Sequence, residues 1–327
     1  MLSLDMYKFN ILLYLFNLGM LVLLLIILLS VCVAFFTLFE RKIMGGFHYR
    51  KGPNKVGLIG IFQPFSDAMK LFSKEIGAPY LSVKFLFISI PIFAFYISLL
   101  CWLGILEIFN EWYIMEFSFL LIFCLLSLNV YFILVGGWIS KSVYSIISSI
   151  RGVAQAISYE IVLIFLILMF LLSIEDLFIT KFINFQEYFW YWWEFYLLQF
   201  TGFLIILSEL NRAPFDLLEG ESELVSGYNV EFGGNGFGMF FMMENLMIIF
   251  WSILFIYLFY GGIQSFFLME LMKIIFLIYL FIWLRMIYPR YRYDKLMELM
   301  WVSILLFYML MFLFIYGIKF MFYCYLY

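Results

Sequence analysis

Long apolar runs alternate with shorter polar stretches along the whole chain. The apolar runs fall at about Ile11–Phe39, Phe85–Leu106, Phe117–Ile139, Val153–Leu172, Phe195–Leu207, Phe237–Tyr260, Leu271–Trp283 (continuing to Ile287) and Trp301–Gly317. A hydrocarbon core of about 30 Å takes roughly 20 apolar residues in a helix, so the pattern predicts an all-α polytopic membrane protein with about eight transmembrane helices. The fifth run is short and follows Trp190, Trp192 and Trp193, residues suited to the water–lipid boundary. The first run is too long for a signal-peptide core. Between the first and second runs, Phe62, Phe65, Ala68, Met69 and Phe72 recur at helical spacing, with Asp67, Lys70 and Lys74 on other sides. That spacing predicts an amphipathic helix lying at the membrane interface.

Eight alternating spans put the loops 40–84, 140–152, 208–236 and 285–300 on one face of a single transmembrane domain, residues 1–327. Those loops hold 15 of the 19 Lys and Arg residues; Lys8, Lys181, Lys273 and Lys319 fall on the other face. By the positive-inside rule the loop-rich face is cytoplasmic, or the matrix face in a mitochondrion. Gly45, Gly46, Gly52, Pro53, Gly57 and Gly60 punctuate the first loop as turns. No internal repeat is visible, which disfavours an inverted-repeat transporter.

Composition narrows the chemistry. Of 327 residues, 67% are apolar and 13% charged, too few charges for a soluble fold of this length, which usually has about 25%. The net charge of −3 and the lack of a basic stripe leave no nucleic-acid surface. Cys32, Cys101, Cys124 and Cys324 are scattered through apolar stretches and read as reduced small hydrophobes. With His48 the only histidine, a haem pair or histidine-rich metal site is not expected; if the chain takes part in electron transfer, its redox centres belong to partners. The 44 Phe, 24 Tyr and 19 Met against seven Ala suggest an AT-rich, organelle-type genome.

The distinctive residues are the acids. Glu160 lies about eight residues into the fourth span, Glu244 at a similar depth in the sixth, and Glu209 at the end of the fifth; Glu40 and Glu107 bound the first and second. A charge at a helix centre costs roughly 2.5–3.5 kcal/mol on insertion scales, so these groups are expected to be protonated, paired or wetted. Gly152, Ala156 and Glu160 are four apart and stack on one face, where small residues admit a neighbouring helix. Gln199, Gly202 and Glu209 share a second stripe, and Gly236 and Glu244 a third. The third loop carries Glu209, Asp216, Glu219, Glu221, Glu223 and Glu231 against the single base Arg212. With Pro214, Phe215 and several glycines it is expected to fold back toward the membrane as a cavity wall. Arg41, Arg151, Arg285, Arg290 and Arg292 lie on the same face, and Arg–carboxylate pairs there suit a proton relay.

Four blocks carry a family resemblance. They are Glu40-Arg41-Lys42 with Arg50 to Gly57, Gln63 to Phe72 and Lys74-Glu75; Arg151 to Glu160; Asn211 to Asp216 with Glu219 to Glu231; and Tyr288 to Asp294. The chain resembles the membrane subunit 1 of respiratory NADH–ubiquinone oxidoreductase (complex I) and its bacterial H-subunit counterpart. The resemblance implies the membrane end of a ubiquinone tunnel, lined by Arg41, Phe65, Asp67, Arg212, Phe215, Tyr228 and Arg285. It further implies a proton track of Glu160, Glu209, Asp216, Glu219, Glu221, Glu223, Glu231 and Glu244. Ubiquinone would be bound jointly with peripheral-arm subunits that hold the headgroup site and the terminal iron–sulfur cluster. No metal or flavin is expected in this chain. Antiporter-like and small membrane subunits would be its neighbours in the mitochondrial inner membrane.

Two positions depart from the family pattern. Ile76, Gly77 and Ala78 precede Pro79 where a proline commonly follows Lys-Glu directly, and Asn245 stands where an aromatic commonly follows the acid of the sixth span. The competing readings are a membrane anchor of an ion-pumping hydrogenase and a stand-alone transporter or channel. The stretch between Asp176 and Phe195 and the segment after Trp301 carry no legible motif.

Overall fold

The computed structural model describes residues 2–75, 77–80, 82–105, 117–177, 179, 181, 185–186, 190–191, 195–218, 220, 224, 227–261 and 267–326, with side chains described from 19 to 321 and at 324. The expected sites Glu219, Glu221 and Glu223, together with Glu107, Trp192 and Trp193, lie outside the described residues. The regular structure is helical: α1 Leu2–Phe47, α2 Gln63–Ser73, α3 Lys84–Cys101, α4 Ser118–Ser140, α5 Val143–Ile174, α6 Tyr196–Glu209, α7 Asn235–Phe259, α8 Phe267–Ile287, α9 Tyr293–Glu298 and α10 Leu305–Leu326. A π-helical stretch, Leu299–Ile304, joins the last two.

All eight expected spans are present as helices, with different ends. Among the described residues six helices are long and apolar enough to cross a membrane. Of the other two, α6 has 14 residues, about 21 Å at 1.5 Å per residue, and α8 has 21 residues but carries Glu270, Lys273 and Arg285. Several helices run past their apolar cores. The 46 residues of α1 make a rod of about 69 Å, so Glu40 and Arg41 sit on helix and the first loop starts only near Phe47. Helix α5 begins at Val143, ten residues before the expected Val153, and takes in Arg151 and Gly152. The expected loop 140–152 shrinks to a two-residue link in which Lys141 adopts φ +52°. The final loop likewise shortens, because the helix restarts at Tyr293. Charged residues lower hydropathy without breaking a helix, which is why an apolar run marks the membrane core and not the helix end.

The chain divides into two compact units, Met1–Met69 and Lys70–Tyr327. Within the first, α1 ends as Tyr49 turns to φ +54° and Arg50 N–H bonds back to the Gly45 carbonyl at 2.9 Å. The returning chain crosses close to the helix: a Cβ on Gly52 would stand 2.9 Å from Lys42 Cα. The amphipathic helix is confirmed at Gln63–Ser73, and Phe62, Phe65, Met69 and Phe72 on its apolar stripe are all exposed.

The second unit is built around α7, whose residues from Leu246 to Phe259 are nearly all buried. Its first turns pack on α3 and α4 through Phe87, Ile90, Ala94, Ile133, Phe232 and Phe240, with Phe87 and Phe232 stacked at 4.4 Å. Helix α4 meets α5 where Gly137 has no side chain to separate them; a Cβ there would lie 2.4 Å from Ser149. Gly202 serves α6 and α5 in the same way, against Leu166. At the far end Gln186, wholly buried, donates to the carbonyls of Tyr257 and Leu258 at 3.0 and 3.2 Å. It thereby satisfies two acceptors near the C-terminus of α7, where intrahelical donors run out.

One glycine is indispensable to this packing. Gly227 holds φ +60°, and a Cβ there would stand 1.6 Å from the Leu218 carbonyl oxygen, backbone that cannot step aside. Gly227→Ala is therefore expected to destabilise the fold by at least about 2–3 kcal/mol. Steady-state amounts of assembled protein on native gels should fall severalfold, and an unchanged amount would refute this account of the loop.

Candidate functional site

The site lies at the end of the second unit where α6 stops and α7 starts. Helix α6 ends at Glu209; the Leu210 and Asn211 amides bond back to Ile206 and Ser208 at 3.0 and 3.2 Å. Asn211 then takes φ +49°, a left-handed conformation that Asn tolerates better than most residues. The Phe215 amide bonds to the Arg212 carbonyl at 2.9 Å, closing a turn that contains the cis Ala213–Pro214 peptide. The chain from here to Phe232 is almost wholly buried where it is described, and such backbone has to find internal partners.

Gln155 on α5 supplies the main anchor. Its side-chain amide donates to the Ser208 carbonyl at 3.0 Å and the Phe215 carbonyl at 2.9 Å, so one wholly buried side chain ties the end of α6 to the turn. Leu218 then lies over α5, and a Cβ on Gly152 would come within 2.0 Å of it. The stripe Gly152–Ala156–Glu160 thus admits a loop at its glycine, where sequence spacing led us to expect a helix. The Pro214 carbonyl accepts the Tyr291 amide at 2.9 Å, and Phe215 sits between the rings of Tyr291 and Tyr159 at 5.5 and 6.3 Å.

The charged groups are distributed over this frame. Asp216, only 8% exposed, faces Arg290 at 3.5 Å. Tyr228, in the short turn Gly227–Asn229, donates its hydroxyl to Glu244 Oε1 at 2.7 Å. Its ring meets Phe240 edge-on at 5.3 Å, so the hydrogen bond is held in place by apolar packing. Beside Glu244, wholly buried Asn245 accepts from Arg212 Nη2 at 2.9 Å. Glu209 is close enough to Glu160 for their charges to interact, and its Oε2 is enclosed with no hydrogen-bond partner among the described residues.

The expected site residues therefore fall into separate groups. Glu160 and Glu209 are near enough for their charges to interact; Asp216 meets Arg290, and Glu244 accepts from Tyr228. Glu231 is partly buried in the same loop. Arg212, Phe215 and Tyr228 belong to this end of the second unit. Arg285 is exposed in the last turn of α8. Arg290 meets an acid of the loop, Asp216, and Arg292 pairs with Asp294 at 2.8 Å. In the first unit Arg41 bonds to Asp67 at 2.6 Å, and Gln63 donates to the other Asp67 oxygen at 3.0 Å. Phe65 packs edge-on against Phe35 at 6.2 Å. Sequence reasoning assigned no role to Gln155. Its only signal was an amide in a strongly apolar helix, which is a costly residue to bury without partners.

Residues 20–316 match the protein-family model described as NADH dehydrogenase. The chain is 44% identical over 283 residues to NADH-ubiquinone oxidoreductase chain 1 of Artemia franciscana, covering 86% of this chain and 92% of the relative. It is 43% identical over 295 residues to the protein of the same name from Locusta migratoria (90% and 92% covered). Against that of Apis mellifera ligustica it is 42% identical over 300 residues (91% and 96% covered).

Gln155→Leu keeps the volume and removes both donors. The Ser208 and Phe215 carbonyls keep the Asn211 and Leu217 amides, so the loss is of two hydrogen bonds at about 0.5–1.5 kcal/mol each, about 1–3 kcal/mol in total. Thermal inactivation of the assembled protein should then set in several degrees lower, whereas an unshifted profile would mean that the turn is held by something else.

Proposed function

The chain belongs to the NADH dehydrogenase family, as NADH-ubiquinone oxidoreductase chain 1 does, and on that premise we propose that it couples ubiquinone reduction to proton movement in the membrane. It is a subunit of the oxidoreductase, and ubiquinone is the substrate of the whole assembly. Reduction to ubiquinol takes two electrons and two protons. The electrons come from partner subunits of the peripheral arm; this chain's contribution is to the protons and to the quinone's path. Arg212, Phe215, Tyr228 and Arg285 in the second unit are proposed to line that path; Arg41, Phe65 and Asp67 in the first unit are assigned to it by the family resemblance alone.

The observation that carries this reading is the Tyr228–Glu244 hydrogen bond. It joins an acid carried by an apolar helix to a loop rich in carboxylates, so a charge change near the loop has a short way into the span. Two unit charges 4–8 Å apart interact by roughly 2–4 kcal/mol at an effective dielectric near 20. One pKa unit corresponds to about 1.4 kcal/mol, so a change of one charge beside Asp216 is enough to move a proton on a neighbouring acid. The acids Glu219, Glu221, Glu223 and Glu231 belong to the same proposed track, which continues through Glu209, Glu160 and Glu244 toward the antiporter-like neighbours. The matrix side of the mitochondrial inner membrane is the proposed location of the loop-bearing face. A hydrogenase anchor is the weaker reading, since the relatives named above are all chain 1 proteins of the quinone-linked enzyme.

Glu160→Gln, Glu209→Gln and Glu244→Gln each preserve shape and abolish titration. In the assembled enzyme, each should lower NADH–quinone turnover or protons moved per NADH by about tenfold or more, the lower end of what a positioned proton-transfer group contributes. Wild-type values of both in all three variants would overturn the track.

A further inference from the structure

Asn245 occupies a peculiar place. It is wholly buried on α7, one residue beyond Glu244, and both ends of its amide are engaged. The nitrogen donates to the Phe241 carbonyl at 2.8 Å, one turn back, and the oxygen accepts from Arg212 Nη2 at 2.9 Å. The first bond orients the second: with the nitrogen turned to a carbonyl, the oxygen is left facing the guanidinium. Successive helical residues point about 100° apart, so Glu244 and Asn245 occupy adjoining sectors of one turn. Their partners, Tyr228 and Arg212, approach that turn from the same loop.

The chemistry of the acceptor matters. A carboxylate at position 245 would lose the donor to Phe241 but still accept from the guanidinium, and its charge would cancel the cation's field. An apolar residue would leave the guanidinium without this anchor, inside a buried region where a displaced charge is costly. A neutral amide fixes the cation and adds no charge of its own. We propose that Asn245 is a positioning residue for the coupling step: it holds Arg212 against the turn of α7 that carries Glu244, so that the guanidinium acts electrostatically on that acid. This rests on the function proposed above, in which Glu244 changes protonation during turnover.

The test is a double-mutant cycle in the assembled enzyme, using Asn245→Leu, Arg212→Met, the pair together, and Asn245→Asp. Native gels report assembly. Turnover is resolved into kcat and the KM for a short-chain ubiquinone, with protons moved per NADH measured in sealed vesicles. Misplacing a positioning group by about 1 Å can cost up to about a hundredfold, and N245L is expected to lower kcat about tenfold with KM changed by less than about twofold. The double variant should be no worse than R212M alone, because two residues acting through one contact are not additive. Asn245→Asp keeps the shape and the acceptor, so it should assemble even if N245L does not, and it should still lose protons per NADH.

Additive losses in the double variant, or wild-type coupling in N245D, would overturn the proposal. So would a normal N245L beside an impaired R212M, and that outcome would leave the proposed function intact. A wild-type R212M would remove the contact's purpose. The Glu244→Gln result then separates failure of this contact from failure of the track itself.

Discussion

A backbone that leaves its helix inside an apolar medium must satisfy its amides and carbonyls from within the protein. The described residues of the segment 208–232, most of them buried, are under that constraint, and the rest of the site depends on how they meet it. Gln155 reaches the carbonyls of Ser208 and Phe215, Tyr291 donates to Pro214, and two glycines clear the space that Leu218 fills. Only because the chain is held this way do Arg212, Asp216 and Tyr228 arrive beside groups on α7 and the segment after α8. The polar contacts with chemical interest are thus consequences of apolar and backbone packing. Helix α5 provides the surface and α7 the acids.

Much of this was legible in the sequence, and the parts that were not have identifiable causes. Hydropathy located the eight apolar helices because the membrane core enforces about 20 apolar residues. It misjudged ends at Val143 and Tyr293 because Lys, Arg and Asp are good enough helix residues once outside the core. The inward stripes were read correctly for Gln199 and Gly202, since 3.6-residue spacing survives any choice of neighbour. What spacing could not reveal was the neighbour's identity: Gly152 meets a loop, and nothing local to α5 distinguishes a loop's leucine from a helix's. Gln155 escaped for a related reason, because its partners are backbone carbonyls more than 50 positions away and carbonyls leave no trace in side-chain patterns.

Asn245 shows how a local departure gains meaning in three dimensions. Read along the chain it was only a polar residue where an aromatic is common. In the fold it closes a hydrogen-bond sequence from a helix carbonyl to a loop arginine. The other departure, at Ile76 to Ala78, begins at a residue outside the described ones.

The distribution of charge along α7 bears on the direction of any proton movement. Glu244 lies two to three turns into the helix, and from Leu246 to Phe259 no residue is acidic or basic. That stretch is about 21 Å long at 1.5 Å per residue, and its side chains are packed. At the opposite end the buried pair Glu270–Lys273 is closed at 2.8 Å, with Lys273 also bonded to the Tyr260 carbonyl and set over the Trp190 ring. Crossing from one cluster to the other along α7 would require a charge to pass several turns of apolar core in which the helix offers only the hydroxyls of Ser252 and Tyr257 and no carboxylate, amine or guanidinium. By contrast, Glu160 and Glu209 lie at the same end as Glu244, on helices α5 and α6. Under the proposed function, the economical path for a proton signal therefore runs sideways from helix to helix at that end, in the plane of the membrane, and leaves this chain through its flank.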